Sequence, residues 1–250
     1  MRKKKVGAIA IERFALMLVL GTAYIAMAHR TMAQDAKTAY PSMAPIEQYL
    51  MTDQAAEVAL ARTAAPESIS RDAEVLVLGR HGFETAVKGK NGFVCIVERS
   101  WTSTADADFW NPKVRTPICY SAAAARTLLP RNVKRTSLIL AGRTKAQVDE
   151  AIVAAVNKKE LPAMESGAMC YMMSKEGYGG DTVPHWPSHV MFFYSQTDPA
   201  TWGANLPGSP IFGISDDHER LTEFAVGVQR WSDGTEAPLS QVHEGHKDMQ

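Results

Sequence analysis

Asp181, His185 and His189 are the residues whose types and spacing most suggest chemistry, two imidazoles and a carboxylate within nine positions. Such a donor set suits zinc or copper, with water in an open position where the ion would activate it for hydrolysis. Pro184 and Pro187 exclude a helix here, so residues four apart do not share a face by helical geometry. An extended segment could still bring both rings to one side. The plainer reading is a pair of loop histidines packed against Trp186.

Cys170 lies in the run AMCYMM (168–173) and could pair with His185 or His189 as a thiolate–imidazolium nucleophile. Its apolar setting favours an inert, buried thiol. Cys95 and Cys119 could close a disulfide, a constraint valued at roughly 3–4 kcal/mol by loop entropy, or could remain small buried hydrophobes. Arg80 and His81, linking two apolar runs, could meet an anionic ligand or form a simple polar loop. His243-Glu244-Gly245-His246 pairs two imidazoles, but in a polar C-terminal tract that reads as solvated. The 175–180 stretch (KEGYGG) lacks the Gly-Lys-Ser/Thr pattern that cradles phosphate, and could serve as a mobile cover for the His185 region. Met169, Met172, Met173 and Met191 read as core filler rather than as copper ligands.

These residues need elements to position them. Residues 42–64 predict a helix, with Pro45 in its first turn and Ile46, Tyr49, Leu50, Ala56 and Leu60 at near-helical spacing. Residues 73–78 predict a buried strand. The runs 83–88 and 93–98 flank Gly89-Lys90-Asn91-Gly92, whose Asn-Gly pair predicts a hairpin, and the three runs together predict an antiparallel meander. Ser121 caps a short helix over 122–129 that Pro130 closes, and 137–141 (SLILA) reads as a strand. Thr144 and Gln147 form a capping box opening a helix that Pro162 stops, with Val148, Ile152, Ala155 and Val156 on one face. Strands are predicted again at 168–173, 190–194 and 224–231, separated by long loops at 174–189 and 195–221. Loops of that length, carrying Trp186 and Trp202, mark candidate binding segments. The expected class is α+β: an antiparallel sheet, built from an N-terminal three-stranded meander and C-terminal strands, with helices packed on one face.

The N-terminus reads as a secretory leader. Arg2-Lys3-Lys4-Lys5 precedes an apolar run over about 14–28, then small residues around Thr31 and Ala33. The run, about 15 residues, is short of the roughly 20 that span a bilayer as a helix. Cleavage near Ala33 is expected, with an uncleaved membrane anchor as the alternative. The predicted organisation is a signal peptide over 1–33, a helical segment over 34–66, one α+β domain over 67–231 and a polar flexible tail over 232–250. Lys and Arg total 27, as do Asp and Glu, and no basic tract is interleaved with aromatics, which argues against a nucleic-acid partner. No later segment is long and apolar enough to span a membrane.

The stretches VLVLGRHGFETAVKGKNGFVCIVERSW, FWNPKVRTPICY, GAMCYMMSK and WGANLPGSP resemble a group of uncharacterised exported bacterial proteins, over roughly 69–231. The resemblance implies one exported domain and carries no activity and no site residue with it. The function expected from sequence is therefore an exported domain that binds a small molecule or protein partner through its long loops. Trp186, Trp202, Arg80 and His81 are the candidate contacts. The alternative is a metal-dependent hydrolase built on Asp181, His185 and His189. No cofactor is evident beyond the zinc or copper ion that this alternative needs.

Overall fold

β-branched and apolar residues alternate through the central strands so that each presents two different faces, and both faces find a partner. In the computed structural model the described residues are 39–102, 108–181 and 183–238. They form one eight-stranded sheet: β1 (Glu74–Gly79), β2 (Gly82–Val87), β3 (Val94–Glu98), β4 (Thr116–Tyr120), β5 (Met169–Met172), β6 (His189–Tyr194), β7 (Ile211–Asp216) and β8 (Leu221–Gly227). Their spatial order is β2-β1-β3-β4-β5-β6-β8-β7. Every neighbouring pair is antiparallel except β1 and β3. Five α-helices accompany it: α1 (Gln54–Arg62), α2 (Glu67–Ser70), α3 (Ala122–Thr127), α4 (Leu129–Leu140) and α5 (Lys145–Asn157). The α+β class expected from sequence is the one observed.

The helices occupy two layers rather than one. Cys95, Val97 and Cys119 face Ala61 and Ala64 at the end of α1. The alternate residues Ile96, Ile118 and Tyr120 face Ala123, Ala124, Leu128 and Leu129 of α3 and α4. The two-residue period of a strand makes this split inevitable once both faces are apolar. α5 packs beyond α4, its Val148, Ile152, Ala155 and Val156 meeting Ile139, Trp101 and Tyr49.

The first three strands do not form the expected meander. β1 and β2 make a hairpin around Arg80-His81, with Gly79 opposite Gly82. β3 then lies on the far side of β1 and runs parallel to it, Glu74 beside Val94 and Val75 beside Cys95. The Asn91-Gly92 turn exists, with Gly92 at φ +80°, but it closes a crossover. Asn91 donates to Ile69 O at 2.8 Å and Lys90 N donates to Asp72 O at 2.8 Å, so the loop is laid against the entry to β1. A Cβ on Gly89 would fall 2.2 Å from Glu74 N, and only glycine lets the crossover pass this close.

Two helical expectations and one strand expectation also change. The 42–64 helix is split into a 3-10 turn at Ile46–Gln48 and α1, because the Asp53 side chain accepts from Ala55 N at 2.9 Å and starts a new helix there. Pro130 opens α4 instead of closing α3: at the first turn its missing N–H costs nothing. The 137–141 run is the last part of α4, not a strand. The capping box of Thr144 and Gln147 is present as expected. The long 195–221 loop contains the edge strand β7, and Asn205 covers its outer rim: Gly213 N donates to Asn205 Oδ1 at 3.0 Å and Asn205 Nδ2 donates to Gly213 O at 2.8 Å.

Cys95 and Cys119 sit directly opposite on β3 and β4 with Cα atoms 4.0 Å apart, and they form a disulfide. Closing a loop of sequence separation 24 contributes about 3.5 kcal/mol by chain entropy. Ordered structure runs past the expected boundary at 231. Trp231 N donates to Thr235 O at 2.9 Å, Ala237 N donates to Gln229 O at 3.0 Å, and Ala237 is buried. The leader with its cleavage site, and the His243–His246 motif, lie outside the described residues. Among the described residues no helix is long and apolar enough to cross a membrane.

Candidate functional site

Asp181, His185 and His189 are not brought together. Asp181 is exposed and is bonded to two phenols, Tyr40 at 2.5 Å and Tyr178, with Lys113 Nζ 4.0 Å away. The hydrogen bond to Asp181 pushes Tyr178 up to about 12 and holds the Asp181 carboxyl below its usual range. His185 is exposed, whereas His189 is buried with its Nδ1–H donating to Pro187 O at 2.6 Å. Burial lowers the His189 pKa, so the ring stays neutral. Among the described residues no group of three or more His, Cys, Asp or Glu side chains could hold a metal ion. The donor types were legible, but the prolines send them to different surroundings.

The two tryptophans do not share a pocket either. Trp186 is half-buried beside Thr116, Pro117 and Met172, and Met172 pairs with His189 at the start of β6. Trp202 lies at the other end, stacked on Phe224 at 4.3 Å between centroids and edge-on to Tyr194 at 5.0 Å. The six residues of β6 separate those ends by about 16 Å at the usual strand rise. Arg80 pairs with Glu47 at 2.6 Å on the surface, and His81 is exposed in the same turn. These four candidates therefore mark three separate places.

What does converge is the space under α4. This helix buries a polar face: Arg131, Asn132, Arg135 and Thr136 are all buried, one helical turn apart in pairs. The sheet beneath offers matching groups. Phe193 of β6 lies opposite Glu223 of β8, so Cys170, Met191, Phe193 and Glu223 share one face. Tyr120 lies beside Cys170 on that face, and Glu98 at the end of β3 completes it. Asn132 Nδ2 donates to Glu98 Oε1 at 2.8 Å and to Tyr120 Oη at 2.6 Å, and the Tyr120 hydroxyl itself donates to Glu98 Oε1. Trp101 Nε1 donates to Thr136 Oγ1 at 3.0 Å. Further along, Arg135 pairs with Glu219, and Arg131 Nη1 donates to Glu219 O at 2.8 Å.

Both guanidinium groups are therefore committed to Glu219, and Glu223 is left over. Among the described residues no hydrogen bond or ion pair reaches its carboxylate. Burial pushes Glu223 up to about 7, and the negative charges of Glu98 and Asp216 act in the same direction against Arg135 and Arg131. Burial also pushes Glu98 up to about 7, despite donors from Tyr120 and Thr102 that favour the ionised form. Both side chains are half-buried beneath α4. Met191, Phe193 and Cys170 lie on the same sheet face, with Met172 alongside. Cys170 is buried, and burial together with Glu98 and Glu223 pushes its thiol well above the ordinary value, so a thiolate nucleophile is disfavoured. Arg131 Nε is buried without a hydrogen-bond partner.

No protein-family model matches the chain, and neither a curated protein nor a solved structure matches it significantly. The one sequence signal that could have found the site under α4 is Arg131, Asn132, Arg135 and Thr136 at i, i+1, i+4, i+5, a polar stripe of helical period.

Proposed function

We propose that the chain is an exported domain that binds a small basic organic molecule between α4 and the sheet, beside Glu98 and Glu223. Glu98 and Glu223 would receive its amine, and Met172, Met191 and Phe193 its apolar part. The observation that carries this reading is Glu223, a half-buried carboxylate that no hydrogen bond or ion pair reaches among the described residues, beside a second carboxylate, each pushed up to about 7. Two neighbouring carboxyls poised near neutrality are expected at binding and proton-exchange sites more than in structural cores. The orphan Arg131 Nε would accept company from an oxygen on the same molecule. Export is supported by the leader and by the Cys95–Cys119 disulfide, which persists in oxidising compartments. The paired carboxyls serve this function better than the loops at Trp186 and Trp202, which lie at opposite ends of β6.

An ammonium pairs with an ionised carboxylate, so affinity rises with pH through about 7 and levels off above it. Calorimetric titration with phenethylamine, putrescine and choline at pH 5.5, 7 and 8.5 checks this. At least one is expected to bind about tenfold or more tightly at pH 8.5 than at 5.5, with Glu223→Gln removing the difference. Binding that is absent for all three, or that ignores both pH and Glu223→Gln, overturns the reading.

A further inference from the structure

We propose that Cys170, Met172, His189 and Met191 form a binding site for copper(I) where β5 and β6 pair. Their convergence comes from strand register. The two strands run antiparallel with Cys170 directly opposite Met191 and Met172 directly opposite His189. Opposite residues share a face, as do residues two apart on one strand, so all four side chains rise from the same side of the sheet. Opposite Cβ atoms stand about 5 Å apart, and neighbours two apart along a strand about 6.6 Å, which puts the centre of the four about 4 Å from each Cβ. The sulfur and imidazole donors span that gap with a metal–ligand bond of about 2.0–2.3 Å. Met169 does not belong to the set, since its partner Phe192 lies on the opposite face.

The donor chemistry selects the ion. Thioether and thiol sulfurs prefer copper(I), whereas the usual zinc donors, His, Cys, Asp and Glu, do not gather in threes among the described residues. His189 is 3% exposed, and its Nδ1–H donates to Pro187 O at 2.6 Å. That bond fixes the tautomer, so Nε2 carries a lone pair, and no hydrogen bond reaches it among the described residues. A backbone carbonyl holding the far nitrogen of a buried imidazole is the usual support of a metal-ligating histidine. Cys170 is fully buried and lies outside the disulfide. Its thiol gives up its proton to water as the Cu–S bond forms, so one monovalent cation replaces one proton and the buried charge does not change. A divalent ion in the same place would leave a net positive charge out of water. Met172 and Met191 are half-buried, which leaves the site an approach from solvent. Trp186 lies half-buried beside Met172, and an aromatic neighbour favours a cation there. The site shares Met172 and Met191 with the proposed amine but uses neither Glu98 nor Glu223. It therefore does not rest on that reading.

Copper(I) kept reduced by ascorbate, which spares the disulfide, is to be titrated into the full chain against the chromophoric chelator bicinchoninate. One ion per chain is expected to leave the chelator, with sulfur and imidazole nitrogen both present in the copper X-ray absorption spectrum. Met172→Leu/Met191→Leu nearly conserves side-chain volume, so it removes donors without emptying the site. It is expected to weaken binding about 100-fold or more, the upper range for changes to a supporting group alone. Glu223→Gln is expected to keep the copper whatever it does to amine binding, which separates the two readings. If the double variant does not fold, Met172→Leu alone serves, and the loss of one sulfur from the absorption spectrum is the expected result. No uptake by the wild type overturns the proposal. So does uptake that the leucine substitutions leave unchanged, which marks adventitious copper on other side chains.

Discussion

The domain is expected to grow more stable as the pH falls from 8.5 to 5, the reverse of ordinary acid denaturation. Glu98 and Glu223 hold their protons more tightly when folded, each near 7 against an ordinary value of 4.5. Protonation therefore favours the fold: this contribution is complete below about 4.5 and is lost as the pH rises through 7. The charge of Glu98 is part of what raises Glu223, so the pair is worth about 3 kcal/mol rather than twice the shift of one. That corresponds to about 6–12 °C in Tm for a domain of this size. His189 runs the other way. Its pKa is lowered by burial, so its contribution is lost as the pH falls through its folded value, trimming the gain below about 6.5. Exposed Asp181 and Glu165, whose carboxyls are lowered by their hydrogen-bond partners, withdraw support only at more acid pH. Thermal unfolding at half-unit steps measures the slope. Glu223→Gln is expected to match the wild type at pH 5 and to exceed it at pH 8.5. A wild-type Tm that climbs steadily from pH 5 to 8.5 contradicts raised values at Glu98 and Glu223.

The second large effect lies on the opposite side of the sheet. Arg99 and Glu57 are both fully buried and pair at 2.8 Å, joining β3 to α1. Arg99 Nε also donates to Tyr49 O at 2.7 Å, and Glu57 Oε1 accepts from Leu78 N at 3.2 Å. One ion pair thus ties α1, β1 and the arm before α1 together. Arg99→Met leaves Glu57 as an uncompensated buried charge and is expected to cost about 3–5 kcal/mol. Adding Glu57→Gln removes that charge while keeping an acceptor for Leu78 N, and is expected to recover more than half of the loss. Urea denaturation of the two variants measures both steps. A single variant within about 1 kcal/mol of the wild type would mean that water reaches the pair.

Local signals survived into the structure and long-range ones did not. Thr144 and Gln147 were legible because a capping box needs only four residues. Cys95 and Cys119 were legible as a candidate pair, although their facing positions depend on the β3–β4 register. The Asn91-Gly92 turn was read correctly as a turn and wrongly as a hairpin, since only the approach of Gly89 to Glu74 decides which strand β3 joins. The candidate site was missed for one reason. α4 buries Arg131, Asn132, Arg135 and Thr136, so an apolar pattern could not reveal it, and its apolar end, 137–141, resembled a strand. With α4 misplaced, Glu98 read as the end of the 93–98 run and Glu223 fell just before the 224–231 strand. The residues with obvious chemistry, His185, His189 and Asp181, had no element to bring them together.

The most direct test is a carbon-13 NMR titration of the glutamate carboxyls, with Glu98→Gln and Glu223→Gln assigning the two signals. The account expects both carboxyls to titrate near 7 and to shift each other's midpoint when either is replaced. Midpoints near 4.5 for both, independent of one another, would contradict it and leave the underside of α4 as ordinary polar packing.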